Sequence, residues 1–389
     1  MQYIKDQKSG NELSRLGFGC MRFPRDKAKT KQLIEKAINA GINYFDTAYV
    51  YPGSEATLGE ILHSLDRREQ IYLATKLPHL KCRKTEDFDN YFSQQTERLQ
   101  TEYFDYYLIH NIADLASWQR LTDLGITEWV EQKKAAGLIK QFGFSFHGSL
   151  DGFLELLTAY PWDFCQIQYN YLDENYQAGR AGLQAASDQG LAVMVMEPLL
   201  GGRLAKGLPA KAERLFHQAD PDLSQAAWGF RWLYDQPEVT VVLSGMNSME
   251  QLEDNLNTAA TAQPGMLSTK EKAVYQPVIK AIKAGYKVAC TGCNYCMPCP
   301  HGVNIPGCFA AYNSSYTLGL FTGFQQYVTG TSANRPDNNS RVTHCVACQA
   351  CEAKCPQHIA IAAELVKVKK RLEPFWFRGI LKIIQKMFS

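Results

Sequence analysis

The sequence predicts an α/β protein: an eight-stranded (β/α)8 barrel followed by a small, mainly helical, cysteine-rich domain. Three observations lead there. Eight short apolar runs, each followed by a helical pattern, fill residues 15–259, the alternation of a parallel sheet with covered faces. No G-x-G-x-x-G follows the first run, which disfavours an open doubly wound sheet. Eight of the 12 cysteines stand in two runs, CTGCNYCMPCP at 290–300 and CVACQACEAKCP at 345–356. At 389 residues the chain exceeds one ordinary domain and suffices for a barrel with an appendage. Boundaries are expected at residues 1–262, 263–370 and 371–389 (a C-terminal amphipathic helix), because QPGMLS breaks the alternation at Pro264.

Taken in order, RLGFGCMRF is the first strand and TKQLIEKAINAG the first helix. Leu33, Ile34, Ala37 and Ile38 recur at helical spacing, and Gly41 stops the helix. INYFDT, IYLATK, YFDYYLIH, IKQFGFS, DFCQIQYN, LAVMVMEP and VTVVLSG are the other seven strands. Residues 88–99 and 150–159 are helices between them, and 269–284 is a helix leading to the first cysteine run. After the second run, IAIAAELVKVKKRLE is helical. The first 17 residues, MQYIKDQKSGNELSRLG, have no apolar core.

Active residues of such barrels sit at the C-terminal strand ends. Asp46 ends the second strand, Tyr51 follows in its loop, Lys76 ends the third and His110 the fourth. Each alone has a bland explanation, a solvated strand end or a hydrogen-bonded loop histidine; four in successive loops suggest chemistry. A carbonyl accepting a hydride needs a proton donor. A phenol has a pKa of about 10, and a nearby ammonium is expected to lower it. Asp46 would hold that ammonium, and His110 would orient the carbonyl oxygen or relay a proton.

The second cysteine run has the spacing C-x-x-C-x-x-C-x-x-x-C-P, in which the fourth cysteine of each run serves the other cluster. The spacing implies two [4Fe-4S] clusters. Cys290, Cys293 and Cys296 are expected to share one with Cys355, and Cys345, Cys348 and Cys351 the other with Cys299. Only two residues separate Cys296 from Cys299, so a shifted register, or Cys308 as a substitute ligand, stays open. Structural zinc is the bland alternative, but zinc pairs are usually separated by a loop. Tyr316, Phe321, Phe324 and Tyr327 are expected to cover the clusters.

The net charge is +2, which points to no nucleic acid. Thiolate ligands suit a reducing, cytoplasmic compartment. No signal peptide or membrane-spanning run is expected. In the tail, Phe375, Trp376, Ile380, Leu381, Ile384 and Phe388 form an apolar face beside Lys382 and Lys386, suited to packing on protein or to lying at a membrane surface.

The motifs GFGCMR, FDTAYVY, ATK, YYLIH, GFS, QIQYN, EPLLGGRL and SGMNSMEQLEDNL resemble the aldo/keto reductases over residues 13–259. With the cysteine runs the likeness is to the subset with a C-terminal ferredoxin-like domain, to about residue 365. The resemblance implies an eight-stranded α/β barrel and a catalytic tetrad at Asp46, Tyr51, Lys76 and His110. It implies NADP or NAD as cofactor, with Ser145 and Gln168 on the nicotinamide carboxamide. Pro198, Leu199 and Gly201 fall on the pyrophosphate side, and Gly245, Asn247, Gln251, Asp254 and Asn255 near the adenosine end. The chain departs at Gln251 and Gly245, where many members have a cation, and near Glu197, where an aromatic often stacks on the ring. The function implied is oxidation or reduction of a carbonyl or alcohol substrate, coupled to the clusters through a flavin intermediary or a redox partner protein. Other classes fit the same motifs: an electron-transfer module in which the barrel only docks a partner, or a sensor of cluster loss.

Overall fold

The computed structural model describes residues 1–290, 292, 295–333, 340–355, 357–377 and 379. It divides into two compact units. The first, Met1–Tyr171, Gln177–Gly202 and Leu223–Thr269, holds a closed parallel barrel. Its strands are β3 (Leu16–Gly19), β4 (Tyr44–Asp46), β5 (Tyr72–Leu77), β6 (Phe104–Ile112), β7 (Ile139–Phe146), β8 (Phe164–Gln168), β9 (Ala192–Met196) and β10 (Val241–Ser244). They run in that order, with β10 pairing β3 to close the ring. The eight expected strands are these eight.

The N-terminal residues are not featureless. They form an antiparallel hairpin, β1 (Tyr3–Lys5) and β2 (Glu12–Ser14). Its turn brings buried Asp6 to accept a hydrogen bond from Tyr106 at 2.9 Å, and Asn11 donates to the same hydroxyl at 3.2 Å. Two three-residue strands joined by a polar six-residue connection carry no apolar period, so nothing in the sequence marks the hairpin.

The helices are α1 (Lys27–Asn39), α2 (Ser54–Leu65), α3 (Glu86–Leu99), α4 (Leu115–Asp123), α5 (Ile126–Ala135), α6 (Leu150–Ala159), α7 (Gly179–Asp188), α8 (Ala210–Ala219), α9 (Gln225–Tyr234) and α10 (Met249–Ala259). Helix α1 starts earlier than its apolar period suggests. Asp26 is the reason: its carboxylate accepts from the Ala28 and Lys29 amides, satisfying orphan donors of the first turn.

The pleat turns alternate residues to opposite faces. Inside the barrel, Tyr44, Ala74, Tyr106, Leu108 and Phe164 form one buried cluster. Two residues further along the same strands stand Asp46, Lys76, His110 and, on β8, Gln168 beyond Gln166. The period of two that fills the lower barrel with hydrocarbon therefore delivers polar groups to its C-terminal mouth. Gly17 shows how full the interior is: a Cβ there would lie 2.7 Å from Val241 Cγ1 and 2.8 Å from Leu243 Cδ2. The helices cover the outside with aromatics such as Phe92, 5.1 Å from Phe104 and 5.8 Å from Trp129. Each such buried side chain contributes about 1.5–3 kcal/mol.

The second unit takes Leu172–Tyr176, Arg203–Asp222 and Lys270–Ser389. It carries α8 together with α11 (Thr269–Lys283), α12 (Ile305–Thr317), α13 (Leu320–Val328) and α14 (Ile361–Leu372). Asn304 caps α12 by accepting from the Gly307 amide at 3.1 Å, with Pro306 in the first turn. Val303, Ile305, Phe309, Tyr327, Leu365 and Phe377 are part of its core. Asn313 is 1% exposed and fully used: its amide oxygen accepts from Lys287 and Val288, and its nitrogen donates to the Val288 carbonyl at 2.7 Å. This fixes the chain two residues before Cys290. Of the expected covering aromatics, Tyr327 is buried and Phe324 packs on the core, but Tyr316 and Phe321 are exposed. Arg371 accounts for Tyr316, lying 3.7 Å above its ring. Most of the expected tail helix, residues 378 and 380–389, lies outside the described residues. Before it, Phe375 is 97% exposed and Phe377 is 1% exposed. No helix among the described residues is long and apolar enough to cross a membrane.

Gly59 on α2 faces the end of α3, where a Cβ would fall 2.7 Å from Leu99 Cα and closer to the Arg98 carbonyl oxygen. Gly→Ala inside a helix ordinarily stabilises by roughly 1 kcal/mol. Here Gly59→Ala is expected to destabilise by about 1–3 kcal/mol through overpacking, read as a lower urea midpoint at unchanged m-value.

Candidate functional site

Lys76 projects from β5 into the barrel mouth and is 1% exposed. Its ammonium donates to both carboxylate oxygens of Asp46 at 2.7 Å and to the Thr47 carbonyl at 2.7 Å. Three N–H donors thus have three acceptors. Burial works to lower the Lys76 pKa, but the Asp46 carboxylate holds it above its ordinary value. The ammonium lies 5.2 Å from the centre of the Tyr51 ring. The Tyr51 and His110 rings meet edge to face at 5.7 Å. The structure therefore brings all four expected residues together.

The electrostatics differ from the sequence expectation in one respect. Burial outweighs the Lys76 charge at Tyr51, so its phenol is held above the ordinary value rather than below it. Tyr51 is a protonated donor at neutral pH. Burial, with Lys76, His79 and His147 as neighbours, pushes His110 well below its ordinary pKa. It is a neutral imidazole suited to hydrogen bonding, not a cation.

Several supporting residues carry no motif. Ser54, the first residue of α2, donates to the Cys20 carbonyl and shares a 2.8 Å hydrogen bond with Thr47. Behind Lys76, buried Glu55 accepts from Thr75 at 2.7 Å and from Gln95 at 2.8 Å, and Gln95 also donates to the Lys76 carbonyl. Asn111, at φ 61, turns the chain after His110, and its amide donates to Ser145 Oγ at 2.7 Å. Arg120 donates to His79 Nδ1 at 3.2 Å and to the His79 carbonyl at 2.8 Å. A guanidinium cannot accept, so the assigned tautomer carries its proton on Nε2. His147, just past the end of β7, shares a 3.1 Å hydrogen bond through Nδ1 with Gln177.

Gln168 is 5% exposed. Its Oε1 accepts from Gln177 at 2.9 Å, while its Nε2 has no partner in the described structure. With the Ser145 hydroxyl beside Asn111, these residues fit a carboxamide ligand. Leu199 packs its side chain against Gly229 of α9, next to buried Pro198. Gly201 is left-handed at φ 66, and Gly245 follows β10. Three residues expected near the adenosine end have partners within the protein. Gln251 Oε1 accepts from the Asn247 amide, Asp254 accepts from Ser224, and Asn255 donates to Ser244. Ser248 caps α10 by accepting from the Gln251 amide at 3.3 Å.

In the second unit, Cys299, Cys345, Cys348 and Cys351 line one pocket with Val303 and Ile305. Left-handed Ala347 (φ 57) and Gln349 (φ 60) coil the run between them. Such conformations cost about 1–3 kcal/mol each for residues other than glycine. The Ala347 amide donates to Cys345 Sγ at 3.4 Å. Cys290, Cys296 and Cys355 pack half-buried against the core; Cys293 lies outside the described residues. Among the described residues no three ligands converge on a single-ion position. A pocket lined by soft thiolates suits a larger iron–sulfur group. Cys308 is fully buried on α12 and outside that pocket, its thiol pushed far up by burial.

Comparison with known proteins agrees with this geometry. The model of the aldo/keto reductase family matches residues 15–264, and that of a 4Fe-4S dicluster domain matches residues 289–360. The chain is similar to the uncharacterized oxidoreductase YqkF of Bacillus subtilis, 25% identical over 64% of this chain and 88% of that one. It is similar to 6-dehydroglucose reductase of Novosphingobium aromaticivorans, 27% identical over 63% of this chain and 86% of the other. Among solved structures, aldo-keto reductase AKR11C1 from Bacillus halodurans in its holo form superposes with a TM-score of 0.61 at 25% identity, covering 72% of this chain and 97% of that one.

The histidines at the mouth make stability depend on pH. Burial lowers His79 to about 3 and His147 to about 4, against an unfolded value of about 6.5. Their contribution is complete above pH 6.5 and is lost as the pH falls towards 4 and then 3, because the unfolded chain binds the protons first. His79→Gln is therefore expected to flatten the fall in thermal midpoint between pH 7 and pH 4.5, relative to the unsubstituted protein.

Proposed function

The chain belongs to the aldo/keto reductase family and carries a C-terminal 4Fe-4S domain, and from that premise we propose that it interconverts a carbonyl and an alcohol using a nicotinamide dinucleotide, NADP or NAD, and exchanges electrons through two [4Fe-4S] clusters. The observation that carries the proposal is the Lys76 ammonium, saturated by Asp46 and Thr47 and set 5.2 Å from the Tyr51 ring. When bound, the dinucleotide supplies or accepts the hydride and the clusters carry single electrons.

The protein's own residues then have distinct roles. Tyr51 gives its hydroxyl proton to the substrate oxygen in reduction and takes it back in oxidation. Lys76 stabilises the phenolate left behind, and Asp46 keeps that lysine charged and fixed. Neutral His110 orients the substrate oxygen by hydrogen bonding. Gln168 Nε2 and the Ser145 hydroxyl would hold the carboxamide. Cys299, Cys345, Cys348 and Cys351 would hold one cluster, and Cys290, Cys293, Cys296 and Cys355 the other. A two-electron donor facing one-electron clusters calls for an intermediary, a flavin or a redox partner protein. Thiolate ligands favour a reducing compartment such as the cytoplasm for the proposed work.

Tyr51→Phe is expected to lower kcat for carbonyl reduction by about 100- to 10,000-fold, with the dinucleotide Kd little changed; full activity in this variant would refute the tetrad assignment. Cys345→Ser is expected to remove about half of the iron and visible absorbance, one cluster of the two, and Cys308→Ser to retain both clusters, by metal analysis of anaerobically purified protein. NADPH should bleach the cluster absorbance of the intact protein, with added flavin if the intermediary is a dissociable one. Persistent colour under both conditions would uncouple the barrel from the clusters.

A further inference from the structure

We propose that the second unit binds the surface of an anionic lipid bilayer through an apolar patch formed by α13 and the chain after α14. This role is separate from the barrel chemistry and does not depend on it. On α13, Leu320, Phe321 and Phe324 lie three and four positions apart, so they share one face of the helix. Leu320 and Phe321 are exposed, Phe321 by 70%, and Phe324 is half-buried. The Trp376 ring stands 5.5 Å from that of Phe324, which sets the chain at Phe375 and Trp376 beside that face. The fold holds these two side chains out. Buried Leu372 and Phe377 anchor the chain on either side, with the Phe377 ring 5.8 Å from Phe324 and 5.9 Å from Tyr327. The Phe377 amide donates to the Pro374 carbonyl at 2.8 Å, closing a turn around Phe375 and Trp376. Single exposed apolar residues are ordinary, but a contiguous group of them marks an interaction site.

Charge selects the occupant. Residues 302–330, α13 among them, contain no Asp, Glu, Lys or Arg. Residues 366–389 contain seven lysines and arginines against one acid, Glu373, whose carboxylate accepts a hydrogen bond from Tyr327. Lys369 and Lys370 are exposed in the last turn of α14, just before the patch. Two more of these lysines stand in ILKIIQKMFS, residues 380–389, which has no acid. Phe, Trp and Leu beside Lys and Arg is the composition of segments that lie in the headgroup region, apolar groups towards the acyl chains and cations towards anionic lipid. A protein partner would need a socket shaped to Phe375, whereas acyl chains yield to it.

The experiment is co-sedimentation of the anaerobically purified full-length protein with vesicles, at several salt concentrations. One set of vesicles is phosphatidylcholine alone and the other contains phosphatidylglycerol as well. Binding to the anionic vesicles is expected, weakening with salt, with little binding to the neutral ones. Lys369→Gln is expected to lower the partition coefficient about five-fold, the span of one basic residue near such a surface. Phe321→Ser combined with Phe375→Ser is expected to lower it by about 10- to 100-fold. Both side chains are exposed, so the thermal midpoint and the carbonyl reductase activity in solution should not change. No binding of the unsubstituted protein to either vesicle would overturn the proposal. Binding that the double substitution leaves unchanged would overturn it too, since the contact would then lie elsewhere. Equal binding to neutral vesicles would overturn the choice of an anionic surface. A dimer in solution that the double substitution abolishes, without vesicle binding, would give the patch to a second copy of the chain and overturn the lipid reading.

Discussion

The barrel mouth depends on one buried ion pair. Removing an ammonium from water costs several kcal/mol, and Lys76 is tolerated there only because Asp46 and Thr47 accept all three of its protons. Removing either charge would strand the other, which typically costs about 3–5 kcal/mol. The surrounding architecture serves this arrangement. Parallel strands β4 and β5 set Asp46 beside Ala74 in register, two residues short of Lys76. Ser54 at the start of α2 anchors Thr47, and Gln95 of α3 holds the Lys76 backbone.

Around that pair burial favours the neutral forms of the nearby phenol and imidazoles. The Tyr51 phenol is raised and the His110, His79 and His147 imidazoles are lowered, burial being the first cause in each case. A fixed ion pair in a low-dielectric mouth, with its ammonium 5.2 Å from the Tyr51 ring, suits a reaction in which negative charge develops on a substrate oxygen. A cationic histidine beside Lys76 would pay for two like charges in one cavity.

The cysteine-rich unit solves a different problem. Two short runs must coil tightly enough to turn several sulfurs towards one pocket. Left-handed backbone at Ala347 and Gln349 does this on one side, while Asn304 and Asn313 fix the chain flanking the first run through buried or partly buried amide hydrogen bonds. The hydrophobic core against which the cysteines pack takes side chains from α12, α13 and α14.

By itself the sequence determined the eight strands, because period-two apolar runs between helical ones have few other ways to be buried. It also determined that Asp46, Tyr51, Lys76 and His110 would meet, because strand ends in a parallel barrel converge on one mouth. The cysteine spacing named its chemistry for a similar reason: the thiols are local to one another. Only the tertiary structure decided the rest. The hairpin from Tyr3 to Ser14 has no periodic signal and exists because Asp6 and Asn11 meet Tyr106 about a hundred residues away. Glu55, Gln95, Arg120 and His79 acquire partners only when distant helices and loops pack. Gln251, Asp254 and Asn255, which motif likeness assigns to a ligand, have partners within the protein. Phe324 lies far from Trp376 in sequence and beside it in space. The sign of the Tyr51 shift also required the fold, since burial, which outweighs the neighbouring lysine, is a property of the packed molecule and of no single stretch of chain.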